Sequence, residues 1–134
     1  MMTNVMTPEL YWLTWTAVLT GLLWLPYIGQ IIGKIGVATA LSETGGVEPD
    51  RSWSVRAKKA HANAVENLAV FAPLALAVHV LGVGNTYTAT AAATYFGLRV
   101  AHAIVYTIGV PYLRTLVFAG GVVCQVILAV AILG

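Results

Sequence analysis

The chain has 134 residues, of which 59% are hydrophobic and only 9% charged, with a formal net charge of +2. An ordinary soluble domain has about 25% charged residues, so this composition, with a mean hydropathy of +0.83, excludes one and points to an integral membrane protein. The length admits about four spans of roughly 20 residues with short connections and no separate soluble domain.

The start, MMTNVMTPEL, has no Lys or Arg ahead of the apolar run, so the first apolar segment reads as a retained helix and not a cleaved signal peptide. Residues 10–33 contain no charge, which gives about 36 Å of helix, enough to span with tilt. Tyr11, Trp12, Trp15, Trp24 and Tyr27 are of the type that anchors at the interface. Pro26 predicts a kink, and Gly29 and Gly33 make a small-residue step that admits a neighbouring backbone.

Residues 41–54, LSETGGVEPDRSWS, hold three of the five acidic residues and read as a polar loop. A second helix opens near Ser52 or Ser54, spans about 56–80 and contains Pro73. Gly82, Gly84 and Asn85 predict a tight turn. A third span covers 86–107 and begins rich in Ala and Thr. Gly109 and Pro111 break the chain before a fourth span over 112–133, in which Gly120 and Gly121 form another small-residue contact. The fold class is therefore all-α, a single domain of four membrane spans.

Lys34, Arg51, Arg56, Lys58 and Lys59 lie in and around the first loop and Arg114 in the third connection, while the amino-terminal tail and second turn have no Lys or Arg. That asymmetry puts the first loop in the cytoplasm and both termini outside. The single cysteine, Cys124, sits in an apolar run and reads as a packing residue. No metal-ligand spacing, phosphate loop or nucleic-acid patch is present in the sequence.

The chemistry concentrates in two stripes. Arg56, Lys59, Asn63, Glu66 and Val70 follow at steps of three or four, polar at one end and apolar at the other. Arg99, His102 and Tyr106 answer them on the third helix. A carboxylate within a span costs about 2.5–3.5 kcal/mol even on insertion scales, so Glu66 needs a partner or a water-filled cleft. Its structural reading is an internal ion pair with Arg99 or Lys59 that fixes packing. His61 lies off the main stripe and reads as structural, Lys58 as a surface charge, and His79 as an interfacial residue. His102 and Tyr106 each have a packing reading beside a binding one.

The segment RAKKAHANAVENLAVF resembles the helix-two signature of the MAPEG family, membrane-associated proteins in eicosanoid and glutathione metabolism. LRVAHAIVY resembles its helix-three segment, and IGVPYLRTL its Pro and Arg opening helix four. The resemblance is to the bacterial, microsomal-glutathione-transferase-like members, which implies an inner-membrane location. It further implies a homotrimer of four-helix protomers binding glutathione, as co-substrate, in clefts between subunits. By position, Asn63 and Glu66 resemble residues that grip the peptide's polar backbone and amino end. Arg56, Lys59 and Arg99 would hold its carboxylates or brace Glu66, with His102 and Tyr106 bordering the cleft and Arg114 near the sulfur.

Glutathione has two carboxylates, an ammonium and a thiol, and the two stripes offer both signs of charge. A free thiol has a pKa of about 8.5; lowering it by about two pH units requires about 2.7 kcal/mol of thiolate stabilisation, within reach of one guanidinium in a partly dry site. The implied function is glutathione-dependent transfer to, or peroxide reduction of, a lipophilic electrophile drawn from the bilayer. Two alternatives stand. Ala62 replaces an Arg found in the active eicosanoid enzymes, Lys59 stands where Arg is common, and Lys34 replaces an Arg cluster, which favours a non-catalytic lipid-binding or scaffold protein. A small proton-coupled exporter would use Glu66 as its intramembrane carboxylate, but Glu66 lies about two turns from Lys59, nearer the surface than a midplane site.

Overall fold

A computed structural model describes residues 5–42 and 46–134; residues 43–45 of the polar loop lie outside the described residues. The described residues form six helices and no strand. They are α1 (Pro8–Leu22), α2 (Leu25–Ile35), α3 (Val37–Ser42), α4 (Ser52–Leu81), α5 (Thr86–Ile108) and α6 (Pro111–Leu133).

The first expected span is α1 and α2 in succession. The α1 helix starts at Pro8 with Thr7 as its cap, Thr7 Oγ1 accepting from the Leu10 N–H at 3.4 Å. It is interrupted at Leu23 and Trp24, immediately before Pro26, which sits in the first turn of α2. Pro26 has no N–H to continue the ladder, so the predicted kink is a break between two helices. The short α3 follows Gly36, whose φ of 85° is the left-handed region that favours glycine. No sequence signal had marked α3 as helical.

Helix α4 opens at Ser52 with Arg51 as its cap and runs unbroken through Pro73. It stops at Gly82 (φ 66°), whose N–H reaches back to the carbonyls of Val78 and His79. Asn85 then starts α5 with a capping box: its side chain accepts from the Thr88 N–H at 3.0 Å while Thr88 Oγ1 accepts from the Asn85 N–H at 2.8 Å. The predicted turn is therefore also a stop and a start signal.

Among the described residues, three stretches are long and apolar enough to cross a membrane: Pro8–Ile35, Ser52–Leu81 and Pro111–Leu133. The expected third span, α5, matches α6 in length at 23 residues. Its Thr, Arg99 and His102 lower its apolarity, yet α5 packs against α1, α4 and α6. Its buried residues Thr88, Ala91, Ala92, Tyr95, Arg99, His102 and Val105 recur at helical spacing along the inner face. This helix, less apolar than α6, is the one most enclosed by neighbours.

The core joins Leu13 of α1, Phe71, Ala75 and Val78 of α4, Tyr95 of α5 and Cys124 and Leu128 of α6. Phe71 and Tyr95 stack with centroids 4.0 Å apart. Cys124 is buried and free, as its apolar setting led us to expect. Gly120 and Gly121 let α6 approach α5: a Cβ at 120 would lie 2.9 Å from Leu98 Cδ1, and one at 121 would lie 3.5 Å from Tyr95 Cε1. A Cβ at Gly29 or Gly33 would meet nothing within 4 Å, so that small-residue step is not used inside the protomer.

Candidate functional site

The two stripes meet where α4, α5 and α6 converge. Arg99, buried on the inner face of α5, donates from Nη2 to Asn63 Oδ1 at 2.7 Å. The same Oδ1 accepts from Asn67 Nδ2 at 3.2 Å, and Asn67 Nδ2 also reaches the Asn63 carbonyl at 2.8 Å. With its side-chain oxygen doubly engaged, Asn63 keeps its NH2 group as the end able to serve a ligand, so it offers donors to a carbonyl or carboxylate. That amide orientation is assigned from the network.

Asn63, His102, Tyr106, Arg114, Thr115 and Phe118 line a cavity of about 190 Å³ at this end of the bundle. The Arg114 guanidinium carbon sits 4.7 Å from the Tyr106 ring centroid, a cation–π contact that orients the side chain without consuming its donors. The His102 ring is edge-on to Tyr106 at 5.5 Å and lies 6.4 Å from Phe118. His102 Nδ1 is buried without a hydrogen-bond partner. The structure therefore brings together four of the residues singled out in the sequence: Asn63, His102, Tyr106 and Arg114. Arg99 joins them one layer behind, through Asn63.

Other members of the first stripe go elsewhere. Arg56 Nε donates to the Thr107 carbonyl at 2.8 Å and its side chain packs against Gly109 (φ 86°), so it caps the carboxyl end of α5. Lys59 and Glu66 are exposed on the outer face of α4, and neither is in an ion pair among the described residues. The Glu66 pairing with Arg99 or Lys59, expected on the structural reading, is not formed, because Arg99 is turned inward to Asn63. A stripe read as one surface is split, since α5 covers only the Arg56 and Asn63 side of it.

The flanking charges are structural. His61 Nδ1 is bonded to the Tyr27 hydroxyl at 2.7 Å, tying α2 to α4. Lys58 pairs with Glu48 at the surface. Lys34 pairs with Asp50, which also accepts from Gln30 Nε2 at 2.8 Å, and this fastens the loop to α2. The Lys34 ammonium first, and the Gln30 amide second, hold the Asp50 carboxyl below the usual carboxylate range.

Sequence reasoning missed a polar relay below the cavity. Gln125 Nε2 lies 3.3 Å from the Tyr95 hydroxyl and 3.4 Å from the Asn67 carbonyl, so it joins α6 to both other helices. The signal was available: an amide in an otherwise apolar span is costly unless bonded, the argument that drew attention to Glu66. It also missed Glu9, which is buried at 2% exposure at the opposite end of the bundle.

Membrane-length apolar helices enclosing a cavity with donors and a guanidinium define an integral helical membrane protein with a small polar site at one end. The chain matches the MAPEG family over residues 10–134, nearly its whole length, and it belongs to that family. Membership carries a general association with membrane-bound glutathione and eicosanoid metabolism. Comparison with curated proteins and with solved structures returned no match.

Proposed function

We propose that the cavity beside Arg114 holds the thiol end of glutathione, and that the protein transfers this thiol to a lipophilic electrophile or uses it to reduce a peroxide. The observation that carries the reading is the convergence of Asn63, His102, Tyr106 and Arg114 on one cavity. Donors and a cation favour a thiolate and a peptide carbonyl over a neutral apolar guest. The protein contributes proximity and thiolate stabilisation, with Arg114 as the catalytic residue, Thr115 as a second donor, and no covalent nucleophile of its own.

Small-molecule sites measure about 300–1,000 Å³, and this cavity of about 190 Å³ takes only part of a tripeptide. The remainder must lie outside the protomer's own cleft. Lys59 and Glu66 face outward on α4, and a bare carboxylate facing lipid is unfavourable. A homotrimer answers both facts: a neighbouring subunit covers that face, Glu66 meets the glutathione ammonium there, and Lys59 meets a carboxylate. The basic residues near the site support a cytoplasmic orientation by the positive-inside rule, on the side where reduced glutathione is abundant.

Turnover of a model electrophile by the purified protein, with glutathione as co-substrate, tests the proposal. Conjugate formation that disappears in Arg114→Ala supports it. Glutathione binding without any turnover gives the scaffold reading instead. Proton-coupled transport that is lost in Glu66→Gln and indifferent to glutathione gives the exporter.

A further inference from the structure

A second cavity, of about 390 Å³, lies at the other end of the bundle, between the first turn of α1, the last turn of α4 and the first turn of α5. Glu9 lines it and is almost wholly buried. Its Oε1 accepts from Thr88 Oγ1 at 2.5 Å, whereas its Oε2 has no hydrogen-bond partner among the described residues. A Cβ at Gly84 would lie 3.0 Å from Oε1 and 3.4 Å from Oε2, so the carboxylate sits tightly against this glycine.

Among the described residues this carboxylate has no cationic partner. The seven Lys and Arg residues are at positions 34, 51, 56, 58, 59, 99 and 114, and the ion pairs among the described residues are Lys34–Asp50 and Lys58–Glu48. The nearby imidazole of His79 is bonded through Nδ1 to Thr7 Oγ1 at 2.8 Å. Glu9 lies in the first turn of α1. A buried carboxylate with an oxygen unbonded among the described residues, on a cavity, suits a cationic hydrogen-bond donor there. No group of three His, Cys, Asp or Glu that could hold a metal ion occurs among the described residues.

The cavity also spans two helix ends of opposite polarity. The carboxyl end of α4, at Val78 to Gly82, adds negative potential on one side. The amino end of α5, at Asn85 and Thr86, offers positive potential and first-turn N–H groups on the other. A ligand with an ammonium and an anion a few bonds apart matches both. The cavity stands at the end of membrane-length helices, at the height of lipid headgroups.

We propose that this cavity binds the headgroup of a zwitterionic phospholipid with a primary ammonium, the ammonium on Glu9 Oε2 and the phosphate at the amino end of α5. A primary ammonium donates hydrogen bonds to Oε2, which a trimethylammonium does not, so ethanolamine lipids bind in preference to choline lipids. The bound lipid holds α1 against the α4–α5 turn. This site is independent of the glutathione reading, since it lies at the far end of the bundle.

Native mass spectrometry of the delipidated full chain, titrated with ethanolamine, choline and glycerol phospholipids of identical acyl chains, tests it. The expected result is preferential retention of the ethanolamine lipid, reduced about tenfold or more in Glu9→Gln. Gly84→Ala, whose Cβ would press on the carboxylate from 3.0 Å, is expected to weaken retention too and serves if Glu9→Gln fails to fold. Glutathione titrations stay unchanged in both variants. Equal retention of the three lipids, or full retention of the ethanolamine lipid by a folded variant, overturns the proposal. Competition by water-soluble glycerophosphoethanolamine as effective as the lipid overturns the lipid assignment in favour of a free phosphoester.

Discussion

Arg99 and Asn63 stand 36 residues apart in sequence and are joined by a hydrogen bond of 2.7 Å from Nη2 to Oδ1. The bond locks α5 to α4 directly behind the cavity and consumes the oxygen of Asn63, so its amide presents donors. Removing one partner of a buried, charge-assisted bond costs about 1.5–3 kcal/mol. Asn63→Ala should therefore lower stability by about 2 kcal/mol as well as weaken glutathione binding. A double-mutant cycle with Arg99→Met should show a coupling of about 1 kcal/mol or more, measured by thermal unfolding in detergent. Additive effects of the two substitutions would contradict the shared bond.

Gly120 and Gly29 should respond differently although both sit in small-residue patterns. Gly120→Val drives a branched side chain into Leu98 and should cost about 1–3 kcal/mol by overpacking. Gly29→Ala meets nothing within 4 Å and should leave the protomer within about 0.5 kcal/mol of the parent. Thermal unfolding of the two variants in the same detergent compares them.

The loop clasp at Asp50 should loosen in acid. Its carboxyl is held below the usual range by Lys34, then by Gln30, so its contribution is present above the ordinary carboxylate pKa of about 4. That contribution is lost as pH falls through the depressed folded value. Limited proteolysis between α3 and α4 with an acid-active protease should accelerate as pH is lowered below about 4. Asp50→Asn should show the fast cleavage already at higher pH, with no further acid step.

Glu66 is an outward-facing carboxylate on a membrane-length helix, which makes it the residue most dependent on a neighbour. Glu66→Gln should weaken glutathione binding by about 2 kcal/mol, roughly thirtyfold, if it meets the ammonium across a subunit contact. Native mass spectrometry should show a trimer for the parent. A stable monomer that still binds glutathione would remove the subunit-cleft account.

Much of the architecture was legible because a membrane imposes strong rules on a sequence. Apolar runs marked the helices, three of which are long and apolar enough to cross a membrane, Pro26 marked the break, and Gly82 to Asn85 marked the turn. Asn63, His102, Tyr106 and Arg114 were legible as site candidates because polar residues on apolar helices stand out. What remained hidden is partnership. Helical spacing says which residues share a face, yet not which neighbour covers it, so Arg56 as a cap and Arg99 as the partner of Asn63 could not be read. The Glu9–Thr88 bond spans 79 residues and has no local signature. Gln125 was overlooked for a similar reason: its partners Tyr95 and Asn67 lie on two other helices.

Calorimetric titration of glutathione into the purified protein in detergent tests the central claim most directly. The parent should bind at millimolar concentration or below, and thiolate absorbance should appear in the complex. Arg114→Ala should keep much of the binding and lose the thiolate signal, since the proposal has its guanidinium stabilise the sulfur. A folded parent protein that shows no heat of binding at millimolar glutathione, and no thiolate absorbance, would contradict the account.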